Sequence, residues 1–351
     1  ISLCTIPMFN FSPKELAPTE DQSVLFGIIN TASNATVDQN AGYAEAAEKV
    51  MLEVPEAALT FQLLFPPSVG ATVGADGFSG VVVKPWAERS RTVTEMVPEV
   101  QAKVSNIPGI QVFITTPPAL PGGINFPVEF VITSTADADK LLEFAKLLQQ
   151  KATQSGLFAF PPVIDLKIDQ PQATIVFDRD KVADLGLNLS QVGADLAAAT
   201  SGNFINRFNM DGRSYKVIPL IQRADRLNSE QLGNIHIAGP DGQMVPLSSI
   251  AHIEDSVVAR SLNRFQQLNA VKLSGVSTRT LDEALTFLED TAREVLPPGY
   301  SFDYTGESRQ LRTEGNKFVP AFLMAILMIF LVLAVQFNAF RDPFVILAGS
   351  V

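Results

Sequence analysis

Two hydrophobic periods alternate along this chain, one residue in two for strands and one in 3.6 for helices. Ser23–Asn30 (SVLFGIIN) is rich in strand formers. Thr36–Val54 places Tyr43, Ala46, Ala47, Val50 and Val54 on one helical face. Ala58–Phe65 reads as a strand, Gly70 to Gly80 as a glycine-rich loop, and Val81–Lys84 as a strand again. Thr92–Val104 aligns Val93, Met96, Val97, Val100 and Val104 on one stripe, and Ile110–Thr115 is strand-like. The order β-α-β-β-α-β is that of the ferredoxin-like split unit.

A related pattern follows. Phe126–Ser134 is a strand, Asp137–Gln154 a helix with Leu141, Phe144, Ala145 and Leu148 inward, and Ala173–Asp178 a strand. The pattern then breaks and resumes with strands at Val258–Gln266 and Ala270–Val276, a helix at Leu281–Leu296 and a strand at Ser301–Thr305. Pro297-Pro298-Gly299 stops that last helix. A second split unit with a long insertion is the implied arrangement, since exposed loops tolerate insertions. Within the insertion, Ser190 is a plausible N-cap for a helix running to Ala199. Asn203–Phe208 and Tyr215–Gln222 flank a hairpin loop, Asn209–Arg213, and a second hairpin turns at Gly239–Gln243. Polar hairpin tips suit contact with another protein, and equally suit ordinary surface loops.

One further run changes the picture. Phe318–Val335 is eighteen residues without a charge. At the helical rise it covers ~27 Å, close to the hydrocarbon thickness of a bilayer. A second apolar run starts at Phe344, and the first residue is Ile1 rather than methionine. The sequence therefore reads as a piece of a longer polytopic membrane protein.

Composition narrows the chemistry. A net charge of −11, from 37 acidic and 26 basic residues without a basic run, argues against nucleic acid. The single cysteine, Cys4, allows neither an internal disulfide framework nor a thiolate zinc site. Neither of the two histidines, His236 and His252, falls in an HExxH motif, and no phosphate loop or nucleophile elbow occurs. Asp178, Asp180 and Asp184 lack the spacing of a calcium loop and read as capping charges. No enzyme chemistry, metal or cofactor is implied. The 24 phenylalanines are more suggestive. Phe61 and Phe65, at spacing four on a strand, share a face and lead into the loop that carries Phe78. An apolar wall beside a glycine-hinged loop suits varied greasy ligands, because apolar contacts are non-directional. The alternative is that both phenylalanines are sheet core.

Several segments resemble the resistance-nodulation-cell-division (RND) multidrug efflux transporters of the hydrophobe/amphiphile efflux type. They are Phe11–Val24 (FSPKELAPTEDQSV), Lys84–Arg89 (KPWAER), Asp178–Gly202, Pro240–Ala251 (PDGQMVPLSSIA), the RSLNRFQQLNAV segment and Tyr304–Ser308 (YTGES). The chain is similar to the second periplasmic loop of that family. The resemblance implies an α+β fold of two ferredoxin-like porter subdomains, the second interrupted by a mixed α/β docking subdomain and followed by a transmembrane helix. The implied boundaries are 1–20 for the end of a preceding membrane helix and its connecting segment, and 21–118 for the first porter subdomain. The second covers 119–177 and 258–305, and docking 178–257. A linker and membrane helix at 306–337 and the start of the next helix at 343–351 complete the chain.

The implied activity is proton-driven export of drugs, detergents or lipids by a homotrimer in the bacterial inner membrane. Most of this chain would lie in the periplasm, working with a periplasmic adaptor (membrane fusion) protein and an outer-membrane channel. Carried over by position, Phe61, Phe65, Phe78, Ile28, Asn30 and Phe113 would line the substrate pocket. Gly70, Gly74, Gly77 and Gly80 would belong to a switch loop, and Asn209, Asp211, Arg213, Asp241 and Gln243 to docking tips. Pro66-Pro67-Ser68 and Gly80 replace part of the denser phenylalanine cluster that such exporters carry. The alternative is a membrane-anchored accessory or receptor module of the same superfamily that binds partners without transport.

Overall fold

The computed structural model describes residues 20–65, 75–117, 126–200, 204–240, 242–314 and 318–350. In chain order the elements are β1 (Val24–Thr31), α1 (Val37–Leu52), β2 (Ala57–Leu64), β3 (Gly77–Val83), α2 (Val93–Val104), β4 (Ile110–Thr115), β5 (Val128–Ser134), α3 (Ala138–Ser155) and β6 (Val163–Ile164). There follow β7 (Ile168–Phe177), α4 (Arg179–Asp184), α5 (Leu189–Thr200), β8 (Asn206–Met210), β9 (Arg213–Val217), α6 (Ser229–Leu232), β10 (His236–Ala238), β11 (Met244–Pro246) and β12 (Ala251–Ala259). The last are β13 (Asn263–Phe265), β14 (Leu268–Gly275), α7 (Leu281–Val295), β15 (Tyr300–Tyr304), α8 (Gly306–Glu314), α9 (Phe318–Phe337) and α10 (Arg341–Ser350). They fall into two compact units, residues 1–168 with 259–351, and residues 169–258.

The first α/β module is an antiparallel sheet in the order β2-β3-β1-β4, as a split β-α-β unit requires. Leu25, Ile29, Val81, Val83, Val112 and Ile114 on one sheet face bury against Ala47 and Met51 of α1 and Met96 and Val100 of α2. Thr92 and Glu95 form a capping box that starts α2. Beneath it Arg89, its side chain buried, pairs at 2.8 Å with Asp21, which also accepts from the Val93 and Ser23 amides. The Arg89 hydrogen bond is the main reason the Asp21 carboxyl is held down to about 2.

The second module repeats the architecture with β14, β5 and β15 paired antiparallel and α3 and α7 packed together over one face. Ala173–Asp178 is not a strand of this sheet, contrary to the pattern-based expectation. The outer edge of β14 is shared by β13 and the two-residue β6, while β7 pairs with β12. Asp165 explains why β6 ends so soon. Its carboxylate accepts the Lys272 amide at 2.7 Å, the donor a longer β6 would use, and takes a second bond from Asn263. Burial pushes the Asp165 carboxyl above its ordinary value.

The module continues into α8. There the buried Ser308 hydroxyl donates to the Pro127 carbonyl and accepts from the Glu129 amide. Arg312 of α8 bonds Asp282 and Glu289 of α7. Helix α9 then carries an 18-residue stretch, Pro320–Phe337, long and apolar enough to cross a membrane. Asn338, in the left-handed region at φ 47°, ends it.

The second unit has its own small core of Val182, Val192, Leu196, Ile237, Leu247 and Ile250. Asp178 caps α4 by accepting from the Lys181 amide. Asn188, not Ser190, caps α5, because its side-chain oxygen accepts from the Ser190 and Gln191 amides.

Candidate functional site

Strand alternation sorts the first module's sheet into two faces. Leu25, Ile29, Val81, Val83, Val112 and Ile114 face the helices, so Phe26, Ile28 and Asn30 of β1, Phe78 and Gly80 of β3, and Phe113 of β4 point the other way. Leu64 of β2 packs with the helix core, which leaves Phe61 and Leu63 on that same opposite face. Five of the sequence-derived pocket residues thus share the face turned away from the helices. The sixth, Phe65, lies just past β2 and meets Phe78 edge-on at 5.4 Å.

Part of this face is covered by the second module. Ile28, Ala75 and Phe78 form a buried cluster with Phe126 and Phe160, and Phe65, Phe113, Val163 and Val276 pack against it. Phe113, Phe126 and Phe160 touch pairwise with ring centroids 5.1 to 6.4 Å apart. The cluster is shut: Ile28, Phe78 and Asn30 retain 6%, 9% and 4% of their exposure. Toward the β2 edge the face is open, with Leu59 and Leu63 about half exposed and Phe61 intermediate between them. Asn30 Oδ1 is buried without a hydrogen-bond partner among the described residues. At the same end of β1, Asp76 accepts from the Thr31 amide at 2.7 Å, and Arg260, from the segment before β13, donates to the Thr31 carbonyl at 3.1 Å.

The glycine-rich loop divides. Gly70 and Gly74 lie outside the described residues. Gly77, Phe78 and Gly80 belong to β3, not to a loop, because the ladder runs down to Gly77 opposite Leu64 and Ile29. Their glycines answer close approach instead of hinge motion: a Cβ on Gly77 would sit 2.5 Å from the Leu63 carbonyl oxygen.

Sequence reasoning missed Phe26, Phe126 and Phe160. Phe26 was available from alternation with Ile28 and Asn30. Phe126, expected at the head of a strand that in fact starts at Val128, and Phe160 both lie outside regular elements, so only tertiary packing brings them in.

The docking candidates lie in the second unit. Asn209 and Arg213 are strand residues of β8 and β9, not loop residues. The turn is only Asp211-Gly212, with φ 50° and 74°, the two-residue turn that suits strand twist. The Asp-Gly pair was the signal in the sequence. One hairpin face carries the stacked Phe208 and Tyr215 with exposed Met210 and Val217, and Arg207 and Lys216 are paired on the other. Gln243 turns the second hairpin, where its carbonyl accepts the Gly239 amide at 2.7 Å. Asp241 lies outside the described residues. His236 and His252 are exposed, and no group of three or more His, Cys, Asp or Glu among the described residues is placed to hold a metal ion.

The family model of the AcrB/AcrD/AcrF transporters matches residues 1–349. An uncharacterised transporter of Haemophilus influenzae is 33% identical over 347 residues, 98% of this chain and 33% of that protein. The multidrug/solvent efflux pump membrane transporter MepB of Pseudomonas putida is 26% identical over 96% of this chain and 33% of its own length. Multidrug resistance protein MdtF of Escherichia coli K12 is 24% identical over the same shares. The chain therefore spans about a third of the length of the curated relatives it matches. A crystal structure of a heavy metal efflux pump superposes with a TM-score of 0.81 at 19% identity, over 99% of this chain and 37% of that one, which shows a common fold. The chain belongs to the AcrB/AcrD/AcrF family of RND transporters, a family of membrane efflux pumps.

Proposed function

We propose that this chain supplies the second-half porter and docking parts of a proton-driven pump that exports hydrophobic or amphiphilic compounds. Residues 21–118, and 119–177 with 258–305, act as porter subdomains, and 178–257 as the docking subdomain. In this reading the bulk of the chain is periplasmic, α9 anchors it in the inner membrane, and a homotrimer works with a periplasmic adaptor and an outer-membrane channel.

One observation carries the reading. The phenylalanine-rich face of the first module is not the face that holds its helices, so these rings are not needed to fill the module's own core. The rings meet the second module through apolar side chains, a contact that can part and re-form around oily cargo, while the partly exposed Arg260–Asp76 ion pair at 3.6 Å joins the modules at its margin, where water can take up both charges. A buried acceptor on the same face, Asn30 Oδ1, offers orientation to an amphiphile inside an otherwise greasy site.

Accumulation of a fluorescent apolar compound in cells carrying the full-length protein tests this. Lower accumulation that a protonophore abolishes is expected. In the same assay Phe78→Ala changes the export of some bulky apolar compounds more than others. Equal accumulation with and without the protein sinks the reading.

A further inference from the structure

A glycine inside a central strand weakens it unless something approaches too closely for a side chain. Gly80 lies in the middle of β3, directly opposite Phe61 of β2 and Phe26 of β1. Its φ is not in the left-handed region, so conformation does not demand glycine. Space does. A Cβ on Gly80 would lie 2.3 Å from both Cε1 and Cζ of Phe61 and 3.0 Å from the Leu25 carbonyl oxygen. The Phe61 ring occupies the volume that a side chain at position 80 would take. Strands β1 and β2 are not neighbours, and the spacing across an intervening strand is about 9.5 Å. Yet the Phe26 and Phe61 rings meet edge-to-face with centroids 5.7 Å apart, across the strand that carries Gly80. The missing side chain leaves a slot floored by the β3 backbone and walled on one side by Phe26.

The ring in that slot is not locked. Phe61 retains intermediate exposure, and its same-face neighbours Leu59 and Leu63 are 52% and 51% exposed. A side chain at such a surface can change rotamer on the fast timescale of exposed groups. If it swings out, the volume its ring filled over Gly80 is free for an incoming ring, which restores the apolar packing that Phe61 supplied there.

We propose that Gly80 is a specificity-determining position, whose slot is held by Phe61 in the empty protein and taken over by a flat aromatic ring system of the substrate. The inference rests on the export reading above and names a substrate class for the same face. Two cations of equal charge separate the classes: ethidium, which has a planar fused ring system, and dodecyltrimethylammonium, which has none.

The decisive comparison is made in the Phe61→Ala background, where the ring that Gly80→Ala would otherwise strike is gone and the nearest remaining neighbour of the new Cβ is the Leu25 carbonyl oxygen at 3.0 Å. Binding is measured on the purified full-length protein in lipid nanodiscs, by ethidium fluorescence polarisation and by competition with dodecyltrimethylammonium. Adding Gly80→Ala to Phe61→Ala is expected to weaken ethidium at least fivefold and dodecyltrimethylammonium less than twofold, at an unchanged unfolding midpoint. Equal weakening of both cations, or unchanged ethidium affinity, overturns the slot. Because binding is read directly, a slot that fails leaves the export assay to stand or fall by itself.

Discussion

Phe160→Ala removes one ring from the shut cluster. Phe160 is 9% exposed and touches Phe113 at 5.1 Å and Phe126 at 5.7 Å. Each aromatic pair contributes about 0.5–1.5 kcal/mol beyond buried area. Losing two therefore removes ~1–3 kcal/mol from the closed arrangement, which corresponds to ~5–150-fold in a closed-to-open equilibrium. The reporter is a cysteine at Ala75, a 5% exposed member of the same cluster, in a Cys4→Ser background. When opening is fast, maleimide labelling of a buried thiol follows the open fraction. Labelling of Ala75→Cys should accelerate by that factor when Phe160→Ala is added. A cysteine at Ala145, fully buried between α3 and its sheet, controls for general loosening and should stay slow. If Ala75→Cys labels at the same rate with and without Phe160, or if Ala145→Cys accelerates equally, the cluster is not a parting contact between modules.

Two further outcomes test other parts of the structure. Arg89→Met leaves Asp21 without its buried partner, and should cost ~3–5 kcal/mol in thermal unfolding. Asp21 is depressed from 3.8 to about 2, so its contribution is present above the unfolded value and lost as pH falls toward 2. Acid unfolding of Arg89→Met should therefore lose its steepness in that window, and an unchanged acid profile contradicts the assignment. In the second unit, Gly212→Val forces a branched side chain into φ 74°, at ~1–2 kcal/mol. It should weaken cross-linking of the full-length protein to the proposed periplasmic adaptor and outer-membrane channel; unchanged cross-linking argues against the hairpin as a docking element.

What the sequence showed and what it hid follow one rule. The helices were legible because stripes such as Val93, Met96, Val100 and Val104 repeat at the helical period and bury as a unit. The long apolar run was legible because 18 consecutive residues without a charge match the length a helix needs to cross a bilayer. The second sheet's edge strand was not. Val163-Ile164 is two residues long, and the Asp165 carboxylate ends it through a bond to a strand more than a hundred residues later. Ala173–Phe177 has a better strand pattern, but its partner is β12. Gly77 and Gly80 read as hinges because glycine signals both freedom and close approach, and only the positions of the Leu63 carbonyl and the Phe61 ring tell which. The pocket face was half legible. Phe61, Phe78 and Phe113 lie on strands, where alternation assigns a face, whereas Phe126 and Phe160 come from irregular segments of the other module.

In the proposed pump the two α/β modules part at the Phe113–Phe126–Phe160 contact during export. The most direct test tethers them there. Phe113→Cys and Phe160→Cys in the full-length Cys4→Ser protein would be joined by a short bifunctional methanethiosulfonate linker, with dye efflux followed in the same cells. Efflux should stop when the tether forms and return when it is reduced. Undiminished efflux from fully tethered protein would contradict the claim.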